Sequence, residues 1–254
     1  MNSPVNSRIA LVTGASRGLG RAIAQRLAHD GWTLALVARQ ADKLQEVRTA
    51  IEAAGGKASV YPADISDPKA ADQVIANVEK DLGPLGALIN NAGIIPTIGP
   101  LSQADPYNLA MALRVGLEAP MQLCAAFLGA TEHWSLPRKV VNISSGLGRR
   151  AMASQAGYCA AKAGMDHFTR CLALDEALKP HGAKVTSLAP GVIDTDMQIQ
   201  LRGAPADKFP DQNGFHQLKT TGMLTSPADA AKRILDYLAR PDFGSNPVSD
   251  VRDN

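Results

Sequence analysis

The sequence predicts an α/β protein built on a doubly wound, mostly parallel sheet with helices on both faces. Short apolar runs alternate with helix-periodic stretches, and a glycine-rich turn joins the first run to the first helix. No internal repeat or linker interrupts the alternation. A chain of 254 residues suits one large domain with a substantial core, so a single domain over 1–254 is expected.

The elements follow in order. Residues 8–13 (RIALVT) are a short apolar run of the kind buried strands show, and 19–29 carry helical periodicity through Ala22, Ile23, Leu27 and Ala28. A second strand is expected at 32–38, then a helix at 42–54 that stops at Gly55-Gly56. A third strand at 57–61 leads to a helix opening near Ser66-Asp67-Pro68, with proline close to its start. Strands at 87–90, 139–143 and 184–188 alternate with a long helix over 107–130 and another over 157–178. Residues 191–225 break the pattern with scattered glycine and proline, which marks a lid or substrate loop. Ser226-Pro227 opens a last helix to about Ala239, and a polar tail ends the chain.

Composition excludes several classes. The charged fraction is 20%, the net charge is +2 and no basic run stands out, so no nucleic-acid partner is expected. No apolar run approaches ~18 residues and the N-terminus lacks a basic, then apolar leader, so neither membrane span nor signal peptide is expected. Cys124, Cys159 and Cys171 have no CxxC spacing. They read as reduced thiols of a cytoplasmic protein, not as a disulfide frame or metal site.

The turn after the first strand is Thr13-Gly14-Ala15-Ser16-Arg17-Gly18-Leu19-Gly20. Glycines at such a strand-to-helix turn let the backbone approach a pyrophosphate resting on the helix N-terminus. An acid after the second strand would bind a free ribose 2′-hydroxyl. This chain has Ala38-Arg39 there, with Arg17 in the loop. Two guanidinium groups favour a 2′-phosphate, hence NADP(H). The same loop reads Gly14-Ala15-Ser16-Arg17-Gly18, which also fits the nucleophile elbow of a serine hydrolase. That rival fares poorly, because no strands come before the one that leads into the loop, and His133, His167 and His181 fall in or beside predicted helices, leaving only His216 in the irregular segment.

Tyr158 and Lys162 are four apart, so a helix places them on one face, and Ser145 ends the preceding strand. Hydride attack on a ketone makes an alkoxide that needs a proton as its charge develops. A lysine charge about 4 Å from the phenol gives roughly 4 kcal/mol at an effective dielectric of ~20. It would lower the tyrosine pKa by up to roughly 3 units before desolvation is subtracted. Ser145 would donate to the oxygen where charge develops. Ser144, its strand neighbour, should face the core or cap the strand end.

Together TGASRGLG (13–20), Asp64, NNAG (90–93), NISS (142–145), YCAAK (158–162) and PGVIDT (190–195) make the chain resemble the short-chain dehydrogenase/reductase family, with its Rossmann-type sheet, from about Arg8 to Arg240. LAPGVIDTDMQ (188–198) and the C-terminal stretch are most similar to the sepiapterin reductase and benzil reductase branch. The resemblance implies that Gly14, Ser16, Arg17, Gly18, Leu19 and Gly20 hold the cofactor phosphates, with Asp64 and Ile65 at the adenine. Asn91, Ala92 and Gly93 would lie near the nicotinamide ribose, and Pro190, Gly191, Val192 and Thr195 at the carboxamide. Ser145 would position the substrate carbonyl, Tyr158 act as general acid, and Lys162 bind the nicotinamide ribose. A small-molecule ketone or diketone is the implied substrate, with a 3-oxoacyl thioester as enzymatic rival and a non-catalytic NADP-binding role as the other alternative. A homodimer or homotetramer is implied as well.

One position departs from the family's pattern, and another is ambiguous. Many members carry an asparagine in the long helix that supports a water-linked proton relay, and Gly116 stands there. A water, or a carbonyl opened by local helix irregularity, is expected to replace the amide. In sepiapterin reductases a C-terminal aspartate anchors the pterin. Asp250 falls near that position, but a surface or salt-bridged tail residue is the preferred reading. Met197, Ile199, Leu201, Phe209 and Phe215 are expected to close over the substrate, with Ile94, Ile95 and Ile98 as the opposite wall.

Overall fold

Strand β1 (Ile9–Thr13) is the hinge of the sheet, pairing in parallel with β2 (Thr33–Ala38) on one side and β4 (Ala87–Asn90) on the other. The computed structural model describes residues 7–253, so positions 1–6, which begin the N-terminal stretch read for a leader, and Asn254 lie outside it. With β3 (Lys57–Pro62), β5 (Lys139–Ile143), β6 (Lys184–Ala189) and β7 (Val248–Asp250), the order is β3-β2-β1-β4-β5-β6-β7, all parallel. Strand order reverses between β1 and β4, which opens a crevice beyond their carboxyl ends, where ligands bind in such sheets.

Alternation along the strands divides the core. Ala10 and Val12 face the layer of α1 (Gly18–His29), α2 (Ala41–Ala53) and α9 (Pro227–Ala239), and Leu11 faces that of α3 (Ala70–Leu82) and α5 (Ala119–Ala130). α6 (Ala156–Ala177) lies against β6 and carries the tyrosine and lysine of the YCAAK stretch. Ser226 caps α9 by accepting from the Asp229 amide, with Pro227 at the first helical position, as expected.

Several expectations are corrected. α3 begins at Ala70, not near Ser66, because the Asp64 and Asp67 carboxylates accept from the Ser66 and Lys69 amides and hold 64–69 in turns. Residues 191–225 are not structureless. They hold α7 (Asp196–Gly203) and α8 (Gln212–Thr220), and His216 sits on α8. The polar tail contains β7, which pairs with β6.

The helix over 107–130 is divided into α4 (Pro106–Leu113), a π turn at Arg114–Glu118, and α5. Pro120 has no N–H for the carbonyl of Gly116, four residues back, so α-helical bonding cannot run through this point. The Ala119 amide instead reaches Arg114, five residues back. The 25 residues Pro106–Ala130 are long and apolar enough to cross a membrane by length and composition, contrary to the expectation that no segment would be. Here that apolarity serves packing: α5 buries Leu123, Cys124, Phe127 and Leu128 in the core, and Arg114 and Glu118 sit mid-segment.

Candidate active site

The crevice beyond β1 and β4 is a cleft of about 840 Å³. Every residue that the sequence singled out for catalysis or cofactor binding lines it, Gly14, Arg39, Ser145, Tyr158, Lys162 and Thr195 among them.

The glycine loop is built tightly. Gly14 and Gly18 have φ of 65° and 54°, the left-handed region that favours glycine. A Cβ on Gly20 would lie 2.3 Å from the Gly14 carbonyl oxygen and 2.4 Å from Asn91 Nδ2. Thr13 Oγ1 accepts from the amides of Asn91 (3.0 Å) and Ala92 (3.1 Å), and Asn91 Nδ2 donates to the Thr13 carbonyl (2.9 Å). The NNAG stretch therefore clamps the glycine loop from the neighbouring strand. At the outer end, Arg17 Nη1 pairs with Asp196 at 2.6 Å, joining the loop to α7 through two exposed side chains. Arg39 has no carboxylate within ion-pair distance among the described residues. The Ser66 amide, helped by Arg39, holds the Asp64 carboxyl below its ordinary value against a burial effect.

Tyr158 and Lys162 lie on the first turns of α6, both buried. Lys162 Nζ donates to the Ile143 carbonyl at 2.7 Å and sits 5.8 Å from the centre of the Tyr158 ring. Burial pushes the Lys162 amine down to about 8, with Asp166 acting in the opposite sense. Burial pushes the Tyr158 phenol up to about 12, against the Ser145 hydroxyl, which lowers it. The expected fall in the phenol's pKa is not seen: burial raises it, and the Ser145 hydroxyl opposes that only in part. Ser145 Oγ accepts from the Leu147 amide at 3.2 Å, which leaves its own proton free to donate.

Ser144 faces inward, as expected. Its hydroxyl and that of Ser187 each donate to Asp166 Oδ1 at 2.6 Å, while Arg149 approaches Oδ2 and donates to the Ser249 carbonyl. This buried carboxylate, one turn beyond Lys162, ties α6 to β5, β6 and β7.

A family model described as short chain dehydrogenase matches residues 8–206. The chain belongs to the short-chain dehydrogenase/reductase family. It is 32% identical over 245 residues to a Bacillus cereus benzil reductase of the (S)-benzoin-forming type, covering 95% of this chain and 98% of that one. An actinorhodin polyketide ketoreductase with NADPH superposes with a TM-score of 0.85 at 26% identity, covering 96% of this chain and 95% of that one. A metagenomic short-chain oxidoreductase in complex with NADP gives a TM-score of 0.76 at 29% identity, with 98% and 96% covered. The chain is thus an oxidoreductase on a Rossmann-type sheet.

For a short-chain dehydrogenase, the cleft fits a nicotinamide dinucleotide on this chain's own geometry. Its floor is glycine at the points where a side chain would intrude, α1 starts there, and no acidic residue occupies that helix's first turn. The hydrolase alternative has no base in place, since no histidine lines the cleft and His216 bonds to the Arg202 carbonyl.

Several residues differ from expectation. Met197, Leu201, Phe215, Ile94 and Ile95 line the cleft, whereas Phe209 is fully buried behind it, stacked on Phe215 at 5.5 Å. Ile98 joins the same apolar cluster, and Ile199 is 61% exposed and turned away. Asp250 is salt-bridged to Arg252, as preferred, but it is buried in β7, and Arg252 is the member of the pair that reaches the cleft. Gln155, Gln198 and Met152 line the cleft and went unrecognised in the sequence, where nothing separates them from surface residues.

Proposed function

We propose that the chain is an NADPH-dependent reductase of ketones or 1,2-diketones, cytoplasmic and homo-oligomeric, with residues 191–225 forming the wall over the substrate. The observation that carries this reading is one cleft lined by a phosphate-accommodating glycine loop, two arginines, and the Ser145, Tyr158 and Lys162 side chains. The benzil reductase relative supports a diketone, and the apolar wall of Ile94, Ile95, Met197 and Phe215 suits compact hydrophobic groups. Arg17 and Arg39, with no acid at the end of β2, support NADPH over NADH. Met121 on α5 and Leu174 on α6 stay exposed, which supports a contact between copies along those helices.

The dinucleotide would rest on Gly14, Ser16 and Leu19, with Arg17 and Arg39 on the 2′-phosphate, Asp64 and Ile65 at the adenine, and Asn91 to Gly93 at the far ribose. Pro190, Gly191, Val192 and Thr195 would meet the carboxamide. NADPH, when bound, supplies the hydride. Ser145 donates a hydrogen bond to the substrate oxygen and holds the carbonyl in place. Tyr158, neutral because its phenol is pushed up to about 12, gives its proton to that oxygen as negative charge develops. Lys162 supplies the positive charge that steadies the resulting phenolate. The experiment is loss of NADPH absorbance with benzil, a monoketone panel and acetoacetyl thioester, with Tyr158→Phe beside the wild type. Tyr158→Phe should cost roughly 10²–10⁴ in rate, and full activity in it would refute the mechanism.

A further inference from the structure

Gln155 is 1% exposed, and neither its amide nitrogen nor its amide oxygen has a hydrogen-bond partner among the described residues. Buried side-chain amides are nearly always paired, so an unpaired one calls for an explanation. The residue caps the N-terminus of α6 three positions before Tyr158, which puts the two on one face of the helix. On one side Gln155 lines the cleft. On the other it borders a pocket of about 20 Å³ walled by Pro96, Leu101 and Leu109. The polar side chains of that small pocket are engaged elsewhere. Thr97 and Asp105 accept from Asn108, and Ser154 donates to the Lys208 carbonyl. The cleft is the larger space that Gln155 borders and the side from which a partner for the amide can come; Ile95, Met152 and Leu201 line it together with polar Arg150 and Gln198.

We infer that Gln155 is a substrate-recognition residue whose Nε2–H donates to the second oxygen of a vicinal diketone while Ser145 and Tyr158 hold the oxygen of the reacting carbonyl. This rests on the carbonyl reductase reading above. A diketone carries acceptors only, and the amide brings a donor that Tyr158 and Ser145 do not already commit. Cβ atoms three residues apart on a helix are about 5–6 Å apart, a spacing suited to an oxygen on the adjacent carbon. A ketone without that oxygen leaves the amide unpaired, which is how a polar site rejects an analogue lacking one group.

The test compares benzil with deoxybenzoin, the same skeleton with one carbonyl replaced by methylene, in the wild type and in Gln155→Met. Each is measured as kcat/KM at saturating NADPH, alongside calorimetric binding of benzil to the enzyme with NADP⁺. The ratio of benzil to deoxybenzoin kcat/KM should fall roughly tenfold in the variant, mainly through KM, with a similar loss of benzil affinity. Because the ratio is internal to each protein, partial loss of active enzyme does not move it. Should Gln155→Met fail to bind NADPH, Gln155→Asn, which draws the amide back by one methylene, carries the same comparison with the same expected fall. A wild type that reduces both ketones with a ratio unmoved by either variant would overturn the assignment and leave the function standing. An amide that only binds a buried water produces that same unmoved ratio and overturns the assignment equally. A wild type that reduces neither ketone overturns the function and the assignment with it.

Discussion

Replacing Lys162 with methionine keeps the aliphatic stem and removes the charge that faces Tyr158. At an effective dielectric of about 20, a unit charge 5.8 Å from the ring centre is worth about 3 kcal/mol, roughly 100-fold in rate if the phenolate forms in the transition state. In the wild type this charge exists only while the amine is protonated, and burial has pushed the amine down to about 8. The kcat/KM for ketone reduction should therefore be flat below about pH 8. Above it the rate should fall about tenfold per pH unit, then level off at the rate of Lys162→Met. The variant should show no such limb. The measurement is a pH–rate profile for both proteins at saturating NADPH, with cofactor affinity measured separately, since Lys162 is also a proposed ribose contact. Stability gives an independent sign. The folded-state pKa of Lys162 lies below its ordinary 10.5, so between about 8 and 10.5 the unfolded chain binds the extra proton. Wild-type stability relative to Lys162→Met should then rise with pH across that window, by about 3 kcal/mol. An alkaline limb near 8 that persists in Lys162→Met would refute the assignment.

Other perturbations test the cleft piece by piece. Gly20→Ala would place a Cβ 2.3 Å from the Gly14 carbonyl oxygen, so backbone must move. Overpacking of this kind costs roughly 1–3 kcal/mol, and both NADPH affinity and Tm, followed by fluorescence and calorimetry, should fall together. Arg39→Asp should weaken NADPH roughly 10- to 100-fold and improve NADH, judged by the KM ratio. Arg17→Ala should do less, because Asp196 already engages that side chain. Gly116→Asn should change turnover less than roughly tenfold, because the π turn and Pro120 already free a backbone carbonyl at this point. Its new Cβ would press on the Ala161 methyl at 3.2 Å. A rise of several hundredfold would mark the glycine as a lesion in the proton path.

Much of this was legible in the chain. The six longer strands carry their own apolar runs, and the glycine loop, NNAG stretch and Tyr158–Lys162 spacing have fixed offsets that any folded form must respect. β7 was hidden because Val248, Ser249 and Asp250 form a strand through pairing with β6, not through any pattern of their own. α7 and α8 are short helices whose polar and glycine-containing sequences blur the 3.6-residue period. The break at Gly116 follows from Pro120, a cue that was present in the sequence and overruled by the apolar run around it. The direction of the Tyr158 shift could not be read, because spacing gives the lysine's position and says nothing of how completely the fold buries both groups. The burial of Gln155 is likewise a tertiary fact.

The two ends of the glycine loop are held very differently. Beneath it, Thr13 and Asn91 lock β1 to the end of β4 through bonds among part-buried groups. At its rim an exposed ion pair, Arg17 to Asp196, links it to α7. A surface pair of this kind contributes little and is screened by salt. The glycine loop is thus anchored from below independently of α7. The link between loop and α7 includes an ion pair that ordinary ionic strength can weaken, while Leu201 of α7 stays packed in its own apolar cluster. Raising salt should therefore weaken the tie between the loop and α7 while leaving the Thr13–Asn91 clamp beneath the loop as it is.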